Sequence, residues 1–252
     1  QFQQVAREMN LSETTFVLPS SHPDADFDVR IFTPEKEIPF AGHPTLGTAF
    51  VLRHAGLIPS KQNLLRLNFK VGIIPVHLQE DGKIFMTQPP GKILRTFTNT
   101  EEVAQVLGLT ANNIDLPVQT ASTGFPALLV PINSLRAMQR IVLNLSLLKV
   151  LLEEAEVDMI YPFTRQTLDQ KSSVHARGFA PFVGIPEDPA TGSVAGALGY
   201  YLKDKNPKEK NLIIEQGYEM KRPGLIFVSM DGAKIQVGGK TRMVFKASLY
   251  LE

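Results

Sequence analysis

The chain of 252 residues contains no cysteine and no tryptophan. The missing cysteines exclude disulfides, thiolate metal sites and a cysteine nucleophile together, and they fit a reducing, cytoplasmic compartment. Charge of one sign is also missing: 26 Lys and Arg face 25 Asp and Glu, a net charge of +1. With no basic cluster interleaved with aromatics, nucleic acid is not an expected partner. The longest apolar stretch, Ile141 to Leu152, is cut by Asn144 and Lys149 and is too short to span a bilayer, so no membrane is expected. No phosphate-binding loop, dinucleotide fingerprint or Gly-x-Ser-x-Gly elbow occurs. A hydrolase triad of Ser193, His43 and Asp188 therefore lacks its usual frame. His22, His43, His54, His77 and His175 are too scattered to read as a zinc set, and no metal is expected.

What is present is a globular composition, 43% apolar, enough for a core in one large domain or two ordinary ones. No signal peptide is visible. The chain opens on Gln1, and Phe2, Val5, Ala6 and Met9 already mark one face of a helix, which leads to the expectation that the start of the natural chain is missing.

The first half then reads as strands over 14–18 and 27–33, a helix from Gly42 through Arg53, and strands over 64–69, 73–78 and 83–87, with Asp81-Gly82 as a hairpin signal. Thr100 to Leu107 reads as a helix capped by Thr100 and closed by Gly108. Strands follow at 116–122 and 127–132, helices at 134–140 and 145–154, and strands at 157–163 and 174–180. After an acidic turn at Asp188 comes a small-residue helix over 194–202, then strands at 212–215, 225–230, 235–237 and 241–251. Strand-rich halves, each with a central helix, define an α+β class.

Two stretches repeat. Arg30-Ile-Phe-Thr-Pro34 matches Arg177-Gly-Phe-Ala-Pro181, and His43-Pro-Thr-Leu-Gly-Thr48 is aligned with Asp188-Pro-Ala-Thr-Gly-Ser193. Two copies of one domain would then face each other, each pointing a helix start into a shared cleft. Helix starts are ready anion sites, because unpaired N–H groups and the positive end of the dipole coincide.

At these residues the chain resembles the PhzF-like, phenazine-biosynthesis family of isomerases. The resemblance is carried by Ala6-Arg-Glu-Met-Asn-Leu-Ser-Glu13, Arg30-Ile-Phe-Thr-Pro34, Ile38-Pro-Phe-Ala-Gly-His-Pro44 and Glu187-Asp-Pro-Ala-Thr-Gly-Ser193. Weaker matches are Thr123-Gly124, Gln216-Gly217 and Val237-Gly-Gly239. It covers essentially the whole chain. The resemblance implies the diaminopimelate epimerase-like fold: two pseudo-symmetric lobes of mixed sheet wrapped around a central helix, here 1–112 plus 242–252 and 113–241. The family's opening strand has no counterpart in the chain. It also implies cofactor-free proton transfer on a cyclohexadiene carboxylate, with Glu13 shuttling the proton and His43 and Asp188 lining the cleft, in a homodimer. The thiol pair of the racemase relatives is impossible without cysteine.

By residue type alone these positions have plainer readings. Glu13 reads equally as a solvated carboxylate or, with Ser12, as a cap; His43 reads as a structural histidine and Asp188 as an N-cap. As a proton carrier Glu13 needs a pKa near neutrality, which burial would provide. Gly192 with Ser193, and Gly47 with Thr48, fit a carboxylate cradle, to which Ser12, Gly42, Thr123, Gly124 and Gly239 are added as substrate-binding candidates. The expected function is a cofactor-independent isomerase of a small carboxylated substrate. Epimerisation or elimination on the same fold, or a binding protein that has lost its chemistry, are the alternatives.

Overall fold

The computed structural model describes residues 1–115 and 117–249. They form an α+β protein of two compact units. The first holds Gln1–Thr87 and the segment from Gly238; the second holds Gln88–Val237.

In chain order the first unit contains α1 (Phe2–Met9), β1 (Thr14–Pro19), β2 (Phe27–Phe32), β3 (Glu37–Ile38), α2 (Gly42–His54), β4 (Leu64–Phe69), β5 (Gly72–Leu78) and β6 (Lys83–Gln88), whose last residue falls in the second unit. The sheet runs β1-β2-β4-β5-β6, with β2 and β4 parallel and β1–β2, β4–β5 and β5–β6 antiparallel. Pro44, Thr45, Thr48, Ala49 and Leu52 make the buried stripe of α2, spaced by one helical turn. Ala49 and Leu52 pack on Val29, Ile31, Leu65, Leu67 and Val76 of the sheet. Pro44 is tolerated because it lies in the first turn, where its missing N–H costs no helical bond.

The second unit adds β7 (Lys92–Phe97), α3 (Thr100–Val106), β8 (Val118–Ser122), β9 (Pro126–Pro131), α4 (Leu135–Gln139), α5 (Leu145–Ala155), β10 (Ile160–Thr164), β11 (Val174–Ala176), β12 (Gly178–Ala180), β13 (Ile185–Asp188), α6 (Gly192–Lys205), β14 (Asn211–Gln216), β15 (Gly224–Asp231) and β16 (Lys234–Lys240), which ends beyond its boundary. Both faces of this sheet are covered, and β9 shows it by alternation. Ala127 and Leu129 face the α6 cluster, while Leu128 and Val130 face the cluster of α3 and α5. Helix α6 is rich in small residues because strands approach it closely: a Cβ on Gly199 would meet Val228 Cγ1 at 2.8 Å. The sequence places the division at 112/113. Here β7 and α3 lie in the second unit, since β7 pairs with β8 and α3 shares a core with α5.

Several local expectations change. The cap of α3 is Asn99, whose side chain accepts from the Glu102 N–H, and not Thr100. The strand expected over 174–180 is two strands broken at Arg177, whose N–H turns to Pro162 O. The strand expected over 157–163 begins at Ile160, after a left-handed cap at Glu156. The strand expected over 241–251 does not form over 241–249; residues 250 and 251 lie outside those described. Its β-prone residues have no ladder partner, and Val244 and Phe245 stand in solvent.

The internal repeat is real but has a different register. Helices α1 and α5 both end on a left-handed residue, Asn10 (φ 50°) and Glu156 (φ 55°), followed three residues later by Glu13 and Met159 and then by a strand. In both copies an arginine forks onto a glutamate: Arg30 Nε and Nη2 on Glu37 at 2.9 Å each, Arg177 Nε and Nη2 on Glu187 at 2.8 and 2.9 Å. Both then reach a helix opening on glycine, Gly42 and Gly192. Aligned by these forks and helix starts, Glu37-Ile-Pro-Phe-Ala-Gly-His43 matches Glu187-Asp-Pro-Ala-Thr-Gly-Ser193. His43 therefore corresponds to Ser193, and Asp188 to Ile38, five positions from the alignment by composition. The shared Pro-x-x-Gly spacing occurs twice in the first copy, at Pro39 and at Pro44, and backbone geometry selects the first.

Candidate active site

In the first unit the left-handed cap at Asn10 turns the chain sharply, so that Glu13 lies at the mouth of β1. Helix α2 opens at Gly42, which places His43 in its first turn. The two meet: His43 Nε2 is 3.0 Å from Glu13 Oε2. The Glu13 side chain is 17% exposed and that of His43 63%. The contact is at ion-pair distance, and Oε2 is shielded from solvent. Burial pushes the Glu13 carboxyl up. Contact with His43, the Ser12 hydroxyl and the charge of His43 outweigh burial, and the net shift is downward from 4.5. This corrects the expectation of a near-neutral Glu13: its carboxyl sits below the ordinary value and is ionised at neutral pH.

Gly42 and His43 open a helix whose N-cap, Ala41, supplies no side-chain cap, so the first-turn N–H groups are left for other acceptors. Thr48 does not belong to this start. It lies in the second turn, buried, with its hydroxyl on Pro44 O and Thr15 Oγ1. Gly47 is likewise inside the helix.

In the second unit, β13 ends on Asp188 and α6 begins four residues later. Thr191 is the N-cap of α6 yet does not cap it; its hydroxyl donates to Asp188 Oδ2 at 2.9 Å. Gly192 and Ser193, both partly exposed, thus open a helix without a side-chain cap, as Gly42 and His43 do. Asp188 Oδ1 accepts the Ala190 N–H at 3.3 Å. Behind it sits Gln216, wholly buried, a residue that sequence reasoning noted only within a weak match. Its Nε2 donates to Asp188 O and Thr191 Oγ1, and its Oε1 accepts from Tyr161 and the Thr191 N–H.

Thr123 is also buried and donates to Gln88 Oε1, while Gln88 Nε2 donates to Gly192 O. Thr123 therefore supports the start of α6 through Gln88. Gly124 is exposed at positive φ (117°), in the β8–β9 turn. Gly239, partly exposed, follows Gly238 on β16; Gly238 is the tighter position, since a Cβ there would strike Ile84 O and Phe85. Among the described residues no group of three or more His, Cys, Asp or Glu is arranged to hold a metal ion. No helix among them is long and apolar enough to cross a membrane.

Comparison with known proteins agrees with these features. Residues 1–247 match the family described as phenazine biosynthesis-like protein. The trans-2,3-dihydro-3-hydroxyanthranilate isomerase of Pseudomonas aeruginosa is 33% identical over 99% of this chain and 88% of its own. A crystal structure of a phenazine biosynthesis protein of the PhzF family from Bacillus anthracis superposes with a TM-score of 0.83 at 31% identity, covering 94% of this chain and 84% of that one. A probable proline racemase from Agrobacterium radiobacter, 13% identical with a TM-score of 0.61 over 99% of this chain and 81% of that one, shares the fold. The sequence motifs, the α+β fold and these likenesses converge: the chain is an isomerase and belongs to the PhzF, phenazine biosynthesis-like family.

Proposed function

We propose that the chain catalyses a cofactor-independent proton transfer on a small cyclic carboxylate of the dihydro-hydroxyanthranilate class, with Glu13 as the proton carrier. The observation that carries this reading is the Glu13–His43 pair: a shielded, ionised carboxylate 3.0 Å from a solvent-facing imidazole. Such a carboxylate can take a proton from an activated ring carbon and return it to another carbon of the same conjugated system. The reaction is an isomerisation without net oxidation, so it needs no co-reactant. Once it has taken the proton, Glu13 is neutral, the form that its burial favours.

His43 orients the carboxylate. Backbone N–H groups at the uncapped start of α2, beside His43, suit the substrate carboxylate, into which negative charge delocalises as the proton leaves. Asp188, held by Thr191, is suited to a substrate amino or hydroxyl group. The test is turnover of trans-2,3-dihydro-3-hydroxyanthranilate in deuterated buffer. The wild type should isomerise it, and Glu13→Gln should lose about 10²–10⁴ in kcat with an unchanged fold, the usual worth of a general acid–base group. Undiminished turnover by Glu13→Gln would remove Glu13 as the carrier. Binding of carboxylates by the wild type with no turnover and no deuterium uptake would instead identify a binding protein.

A further inference from the structure

The first unit serves as an internal control for the second. Their strands align by register, because Val17 opposite Val29 matches Phe163 opposite Ala176, and Ile31 opposite Ile38 matches Gly178 opposite Asp188. Through the parallel pairings β2–β4 and β11–β14, Phe69 corresponds to Gln216. The polar set Tyr161, Gly178, Asp188, Thr191 and Gln216 thus stands where the first unit has Thr15, Ile31, Ile38, Ala41 and Phe69. The first unit builds the same strand, hairpin and helix with Ile31 and Phe69 in its core. The fold itself therefore does not require a buried amide, and burying one carries a penalty unless every bond is made.

In the second unit every bond is made, and in one sense only. Gln216 makes four hydrogen bonds, the full capacity of an amide. Asp188 O can only accept and the Thr191 N–H can only donate, so the amide cannot be flipped: Nε2 faces the first and Oε1 the second. Tyr161 must then donate to Oε1, at 2.7 Å. Thr191 Oγ1 receives Nε2–H at 2.8 Å, which directs its own proton to Asp188 Oδ2 at 2.9 Å. Gly178 provides the space, since a Cβ there would come within 2.7 Å of Thr191 Oγ1 and 3.3 Å of Gln216 Nε2.

We infer that Gln216, acting through Thr191, is a positioning residue for Asp188, locking Oδ2 and leaving Oδ1, which accepts only the 3.3 Å bond from the Ala190 N–H, as the atom offered to a ligand. This rests on the proposed role of Asp188, and the experiment separates the two claims. The Asp188 side chain is located in crystal structures of the full chain, in the wild type and in Thr191→Val, Thr191→Ser and Gln216→Met. Losing the hydroxyl in Thr191→Val should let the carboxylate turn away from residue 191, Thr191→Ser should restore its orientation, and Gln216→Met should turn it by freeing the Thr191 hydroxyl to rotate. The same Asp188 orientation in all four proteins would overturn the inference, and because the comparison needs no turnover it decides the matter with any substrate. Gln216→Met keeps it decidable if Thr191→Val does not fold.

On trans-2,3-dihydro-3-hydroxyanthranilate, Thr191→Val should lose about 10- to 100-fold in kcat/KM, the scale of one hydrogen bond to a charged group. That loss should vanish in an Asp188→Asn background, a non-additivity that a purely structural role does not produce. If Asp188→Asn turns over normally, the role of Asp188 fails. If it is inactive while Thr191→Val matches the wild type, the role of Asp188 stands and that of Gln216 falls.

Discussion

His175, buried to 0% exposure, has a carboxylate on each ring nitrogen: Glu215 Oε1 at 2.8 Å from Nδ1 and Glu219 Oε1 at 3.0 Å from Nε2. Burial pushes the imidazole down, but hydrogen bonds to Glu219 and Glu215 and their charges outweigh it, and the net shift is upward from 6.5. Burial likewise pushes both carboxyls up. The Leu168 and Asp169 N–H groups and His175 overcome it at Glu215, and His175 with the charge of Arg177 does so at Glu219, so both end below 4.5. The protonated ring therefore pins the 165–172 loop and the turn after β14 to β11. His175→Leu leaves Glu215 its two backbone donors. Glu219 keeps only its own backbone N–H and the charge of Arg177, and its Oε2 has no hydrogen-bond partner. Breaking a buried ion pair by removing one partner costs about 3–5 kcal/mol. At roughly 2–4 °C per kcal/mol for a chain of this size, the melting point of the second unit should fall by about 6–20 °C. Adding Glu219→Gln should recover part of the loss.

The pH dependence has a definite sign. The raised histidine contributes fully below 6.5 and fades as pH rises through its folded-state pKa, while the lowered carboxyls contribute fully above 4.5 and fade on acidification. The stability gap between wild type and His175→Leu, measured by denaturant unfolding, should be widest from pH 4.5 to 6.5 and narrow above it. A loss below about 1 kcal/mol, the worth of a neutral hydrogen bond, or a gap that widens with rising pH would refute a charged triad.

Two further outcomes are expected. Carboxyl ¹³C NMR should place the Glu13 midpoint below 4.5 in the ligand-free chain, and His43→Gln should move it upward, because burial persists when the histidine is removed; a wild-type midpoint above 4.5 contradicts the site description. Arg177→Lys should destabilise the chain by about 2–4 kcal/mol in thermal unfolding, because it breaks a bidentate, buried contact and the Nη1 bond to Met138 O. Arg30→Lys, at the exposed copy of the fork, should leave the melting point nearly unchanged; equal effects would mean that burial is not what distinguishes them.

The sequence alone determined the elements whose cause is local. Alternating apolar residues with turn signals set most strands within a residue or two, and the glycine start at Gly42 with the apolar run through Arg53 set α2. The motif Asn10-Leu-Ser-Glu13 and the two helix starts were also legible, because a left-handed cap and a glycine opening are written in a few adjacent residues. Tertiary structure decided what depends on partners distant in the chain. It set the register of the repeat, since two Pro-x-x-Gly spacings compete and only the Arg–Glu forks choose between them. It kept residues 241–249 out of a strand, because a ladder needs a neighbour and β-propensity does not supply one. It removed Thr48 from the helix start and brought in Gln216, 28 residues from Asp188 and hydrogen-bonded to it. It also reversed the expected pKa of Glu13: sequence shows a carboxylate that burial would raise, while the 3.0 Å approach of His43, thirty residues away, exists only in the folded chain.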